Sequence, residues 1–274
     1  MTDPERDAGA SAAVTAFIDK WHAREPEMAY AEVFCPRPLR LQFALWGALL
    51  FELREAAFEL SDVRLLEVKS VWWADELLHC AQAAPQHPLT QALAAPRLPW
   101  NALARGMHAM AQRDASLPAD RDAAIASVAP LADGIASVEA ALFDASNTDA
   151  ASRAAGIHLL GERLRIGSAA ADGGCVPLSL LARHGTTRSA LAQPQGEPVV
   201  ADWADALIAA QPSEFTGMDL YRSARTAFDG WFLHELAAHR PQRAMPRLRA
   251  LRLAWSAARR THAADAIPKP RVKQ

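Results

Sequence analysis

The stretch Leu39–Leu60 constrains this chain most. Leu41, Phe43, Ala44, Leu45, Trp46, Ala48, Leu49, Leu50, Phe51, Leu53 and Phe58 fall on every side of a helix drawn over it. A helix apolar all round is either the core of a bundle or a membrane span. Arg40, Glu52, Arg54, Glu55 and Glu59 interrupt it, and the clean apolar run is shorter than the ~20 residues a bilayer needs. The pattern predicts a buried central helix in an all-α bundle. A tight corner at Ser61-Asp62 leads into a second helix, which Asp62 can N-cap and which carries Val71-Trp72-Trp73-Ala74-Asp75-Glu76-Leu77.

The rest of the chain extends the all-α reading. Hydrophobic residues make up 51% of it, and alanine, the strongest helix former, is conspicuous. Two tyrosines and few alternating β-branched runs leave little material for a sheet. Helices are predicted over Ser11–Arg24, from Pro26, over Leu89–Leu93, Trp100–Ala115, Asp120–Phe143, Ala150–Ile166, Leu178–Arg183, Asp202–Gln211, Asp219–His239 and Met245–Ala264. Pro130 and Gly134 predict a kink in the fifth of these. Gln193–Pro198 reads as a polar linker. A chain of 274 residues can bury one large core. With no repeat or internal boundary, it divides into a disordered lead (1–9), one helical domain (10–265) and a basic tail (266–274).

Charge and cysteines exclude several classes. The formal net charge of −2 argues against nucleic-acid binding. Cys35, Cys80 and Cys175 are odd in number, far apart and match no metal spacing, so they read as buried thiols. The acidic opening Met1-Thr-Asp-Pro-Glu-Arg-Asp is unlike a secretory signal, which places the chain in the cytoplasm.

Three segments then carry a resemblance. The first is Phe51-Glu52-Leu53-Arg54-Glu55-Ala56, Val71-Trp72-Trp73-Ala74-Asp75-Glu76-Leu77 and His87-Pro88-Leu89-Thr90-Gln91-Ala92-Leu93. The second is Ala155-Gly156-Ile157-His158-Leu159-Leu160-Gly161-Glu162-Arg163-Leu164-Arg165. The third is Cys175-Val176-Pro177-Leu178-Ser179-Leu180-Leu181-Ala182-Arg183-His184-Gly185. In order and spacing, over roughly residues 35–190, these resemble the squalene/phytoene synthase family. The resemblance implies a single-domain isoprenoid-synthase-like bundle of helices around a central apolar cavity.

The chemistry of the active family tests the resemblance. Ionising two allylic diphosphates takes several Mg²⁺ ions held by carboxylates one helical turn apart on two facing helices, with basic residues gripping phosphate oxygens. With Phe51 set on the family's aromatic, the first aspartate positions fall near Ala56, Ala57 and Leu60, which bind no metal. A shifted reading uses Glu55 and Glu59, one turn apart and flanked by Glu52 and Asp62. In the second motif Arg165 stands where the family has its arginine, but Ile166 replaces the following aspartate, and the next acid is Asp172. The candidate metal residues are therefore Glu55, Glu59 and Asp172. Arg54, Arg165, His158, Trp72 and Trp73 are the candidates for diphosphate or cavity contact. The loss of aspartates resembles the family's degenerate branch, which includes the mitochondrial assembly factor for respiratory complex I.

Other residues have plainer readings beside the functional ones. Adjacent tryptophans on a helix point about 100° apart, so at most one of Trp72 and Trp73 faces a cavity. Asp75 and Glu76 are expected to face solvent or an arginine. His158 reads as a satisfied core histidine rather than a ligand. Residues 240–273 hold ten Lys or Arg and one acid, Asp265. Arg249, Arg252, Trp255, Arg259 and Arg260 make the last helix basic and amphipathic, suited to the inner membrane face or to an acidic partner, or simply to a solvated surface.

Three functions remain. One is a non-catalytic, squalene/phytoene-synthase-like protein binding an isoprenoid, another lipid or a protein partner, with no cofactor. The second is an active head-to-head prenyltransferase with a relocated Mg²⁺ site. The third is an all-α assembly factor with a collapsed cavity. The missing carboxylates favour the first.

Overall fold

A computed structural model describes residues 4–265 apart from 61, 94–96, 114–115, 167–174, 194–195, 214, 216 and 241–242. The described residues form twelve α-helices and no strand. The helices are α1 (Pro4–Arg24), α2 (Met28–Glu32), α3 (Arg40–Arg54), α4 (Val63–Ala81), α5 (Pro88–Ala92), α6 (Trp100–Ala111), α7 (Arg121–Leu142), α8 (Asp149–Ile166), α9 (Leu178–Arg183), α10 (Glu197–Ala210), α11 (Leu220–Ala237) and α12 (Arg247–Asp265).

Local chemistry sets several helix starts. Asp62 accepts from the Arg64 and Leu65 amides to open α4, Asp120 from Ala123 to open α7, and Asp219 from Arg222 to open α11. Pro88 sits in the first turn of α5, where its missing N–H leaves nothing unbonded. Three expectations change. α1 begins at Pro4 rather than at a Ser11 cap, so residues 4–9 of the expected lead are helical. α10 begins at Glu197, inside the stretch that reads as a polar linker, because Pro198 is tolerated in a first turn. The helix drawn to Leu60 stops being α-helical at Arg54 and continues as a π turn over Glu55–Glu59. Its i→i+5 bonding brings residues five apart to the same side.

α3 is the core helix. Phe43, Leu45, Trp46, Leu49, Phe51 and Leu53 are all buried, each contributing about 1.5–3 kcal/mol relative to exposure. α4, α6, α7 and α8 pack in sequence order, and α8 meets α10 and α11 on another side. α6 and α7 approach closely at two glycines. A Cβ on Gly106 would lie 2.7 Å from the Leu131 Cα, and one on Gly134 2.7 Å from the Leu103 Cα. Among the described residues α7 is the one helix long and apolar enough to cross a membrane. Its Val128, Leu131, Ile135 and Val138 are buried in the bundle, as in a core helix. All three cysteines are buried, and none forms a disulfide among the described residues.

Candidate functional site

The two helices that the sequence singles out, α3 with its π turn and α8, meet in the structure, and charged side chains lie between them. Arg54 ends α3 with 4% of its side chain exposed. Its Nη2 is 2.6 Å from Glu25 Oε1 and 4.0 Å from Glu162 Oε2, and its Nε is 3.4 Å from Glu59 Oε1. The π turn makes that last pair, since Glu59 lies five residues on. Arg54 Nη1 lies 3.0 Å from His158 Nε2. A guanidinium only donates, so Nε2 accepts and the ring proton sits on Nδ1, a tautomer assigned from this network. Nδ1 faces the Asp229 carboxylate at 3.1 and 3.2 Å.

α11 closes the network with a second fully buried arginine. Arg225 Nε donates to Asp229 at 3.0 Å, and its Nη1 to Glu25 at 3.1 Å and Glu27 at 2.9 Å. Trp21 Nε1 donates to Glu25 at 3.1 Å. On α8, Arg165 pairs with Glu162 one turn away and stacks on the Phe232 ring at 3.7 Å. Four separate segments thus converge on one ionic cluster: the α1–α2 corner, α3 with its π turn, α8 and α11.

Burial and charge compete at each member. Burial alone would neutralise Glu25, but Arg54 and Arg225 outweigh it and hold its carboxyl well below the usual range. Burial likewise opposes ionisation of Asp229, and Arg225 with His158 brings it down to about 2. Glu162 is lowered against burial by Arg165 and Arg54. Burial dominates at Glu27, whose carboxyl is raised despite Arg225. Arg54 is raised, as Glu25, Glu162 and Glu59 overcome its desolvation. A second buried pair stands beside this cluster: Arg222 holds Glu139 with bonds of 2.9 and 2.6 Å, and Trp46 Nε1 adds one of 2.9 Å. Burial and the Glu139 charge push the nearby Asp219 carboxyl up to about 7.

The expected site residues separate into distinct environments. Glu55 and Glu59 lie on the π turn, yet both meet cations: Lys20 bridges Glu52 and Glu55 at 2.8 Å each, and Glu59 faces Arg24 and Arg54 at 3.4 Å each. Asp62 caps α4. Asp172 lies outside the described residues. Trp73 is buried, whereas Trp72 is half exposed; both rings pack on His87, at 4.9 and 5.9 Å. Asp75 is exposed, but Glu76 is buried, contrary to expectation. It accepts from the Gln86 and His87 amides at 2.9 Å and from the Thr90 hydroxyl, which pins the loop before α5. Glu25, Glu27, Arg225 and Asp229 are members the sequence reading missed. Arg225 and Asp229, oppositely charged and one turn apart on α11, were the available signal.

The donor set does not suit Mg²⁺. His158, Glu162 and Asp229 have ligand atoms within 4.8 Å of one another, the one such trio near the motif helices among the described residues. Their atoms already face Arg54, Arg165 and Arg225. A dication about 4 Å from Arg54 meets a repulsion of roughly 8 kcal/mol at an effective dielectric of about 20. Two hollows, of about 510 and 370 Å³, lie elsewhere. One is bounded by the start of α7 with α9 and α10, the other by α7 and α8, and none of the candidate residues lines either.

No family model and no curated sequence matches the chain. Among solved structures, a dehydrosqualene synthase in complex with a ligand is similar at a TM-score of 0.64 and 13% identity, over 95% of this chain and 100% of that one. At that identity the likeness speaks for the fold alone, and the chain is an all-α protein with the fold of the isoprenoid synthases.

Proposed function

We propose that this chain is a non-catalytic protein of squalene/phytoene-synthase-like fold that works by binding a lipid or protein partner. The observation that carries the reading is Arg54, a buried cation set between the helices that would have to supply the metal carboxylates. Prenyl transfer needs that space for divalent cations and diphosphate; here Glu25, Glu59, His158 and Glu162 surround a guanidinium instead. The Lys20, Glu52 and Glu55 group supports the same conclusion, since a lysine already bridges both carboxylates. The resemblance to a degenerate branch containing the complex I assembly factor supports it independently, because that branch keeps the landmarks and loses the aspartates.

The test is a Mg²⁺-dependent assay of the purified chain with farnesyl and geranylgeranyl diphosphate, following pyrophosphate and hydrocarbon product. No turnover is expected. Turnover that Glu55→Ala, Glu59→Ala or Asp172→Ala abolishes, with the far-UV circular dichroism unchanged, would overturn the reading in favour of a relocated metal site.

A further inference from the structure

α12 is held to the protein by one face. Ala250, Ala254, Ala257 and Ala258 are buried, and the helix packs on α11 and α2. The other face is apolar where solvent meets it. Leu248 is 83% exposed, Leu251 41% and Trp255 49%. At spacings of three and four these three form one stripe along the helix. Arg252 and Arg259 run beside it, with Arg249 further round, all exposed. Arg259 lies over the Trp255 ring at 4.9 Å. Among the described residues none of Arg249, Arg252 and Arg259 has a carboxylate partner. Arg260 differs, turned aside onto the Phe215 ring at 4.5 Å.

Charge along the chain is uneven in the same place. Residues 240–274 hold ten of the 29 Lys and Arg but one of the 31 Asp and Glu. The remainder is acidic, so a negatively charged surface repels most of the molecule and attracts this end. An exposed apolar stripe beside unpaired arginines, on a helix lying flat on the protein, has the chemistry of a helix that beds into the headgroup region of a bilayer. Tryptophan favours that depth, with its ring apolar and its N–H wet.

We propose that the outer face of α12 docks this protein on an anionic lipid surface. Leu248, Leu251 and Trp255 enter the boundary between headgroups and acyl chains, and Arg249, Arg252 and Arg259 meet the phosphates. This goes beyond the reading of the ionic cluster and does not depend on it.

The experiment uses the full chain with phosphatidylcholine vesicles, with and without a third of phosphatidylglycerol, read by co-sedimentation. Binding is expected to the anionic vesicles alone and to weaken with salt. Each arginine near such a surface is worth about fivefold in affinity, so R252E/R259E should lose roughly 25-fold or more. L248S/L251S/W255S should lose binding while keeping the helical circular dichroism, because those side chains are exposed. No binding to anionic vesicles at low salt would overturn the proposal, as would binding that R252E/R259E leaves unchanged. So would a lipid-free dimer that L248S/L251S/W255S disperses, which would assign the face to a second copy. None of these outcomes bears on prenyl-diphosphate turnover.

Discussion

Replacing Arg225 with methionine keeps most of the side-chain volume and removes the cation shared by Glu25, Glu27 and Asp229, which lie 2.9–3.1 Å from it. Breaking a buried ion pair by deleting one partner typically costs 3–5 kcal/mol, because uncompensated charge stays behind. Three carboxylates face this arginine, so the upper part of that range is expected at pH 7. The pH dependence follows from Asp229. Its folded pKa is about 2 against an ordinary 3.8, so the wild-type protein draws about 2 kcal/mol from it above pH 4 and loses that as pH falls toward 2. In Arg225→Met the same carboxylates stay buried with one cation fewer, and their folded pKa values rise. A raised carboxylate contributes stability at low pH and loses it as pH climbs. The gap between variant and wild type should therefore be widest near pH 7 and narrow toward pH 4. Urea unfolding followed by far-UV circular dichroism at several pH values measures it. A gap below about 1 kcal/mol at pH 7, or one that does not change between pH 7 and 4, would refute the reasoning.

Asp219→Asn should keep the α11 cap, since an amide oxygen can accept from the Arg222 amide, while removing a carboxyl held up at about 7. The wild-type carboxyl weakens the fold as pH rises from 4 to 7, and that slope should flatten in the variant when urea midpoints are compared across the range. Gly134→Ala puts a methyl 2.7 Å from the Leu103 backbone, where no side-chain rotation relieves it. A loss of about 1–3 kcal/mol or more is expected in thermal or urea unfolding, and a neutral result would mean that α6 and α7 are free to separate.

Much of the fold is legible in the residues because helix formation is local. The all-round apolar pattern from Leu41 to Phe58 marks the core helix, and Asp62, Asp120 and Asp219 each stand one residue before the start of α4, α7 and α11. The motif order pointed to the isoprenoid-synthase fold, which the similarity to a dehydrosqualene synthase bears out. The π turn was not legible, since Glu55–Glu59 has ordinary helix composition and its widening answers to what packs around Arg54.

The ionic cluster lies beyond any local pattern. Glu25 and Arg225 are 200 residues apart, and Arg54 and His158 are 104 apart. Sequence by itself determined where most of the helices lie and which of their faces are apolar. Only the tertiary structure decided which charges meet between α3, α8 and α11. The physical reason is that a buried charge is tolerable only where packing brings its counterion within about 3 Å. That distance is set by how α3, α8, α11 and the α1–α2 corner cross, and no single segment encodes the crossing.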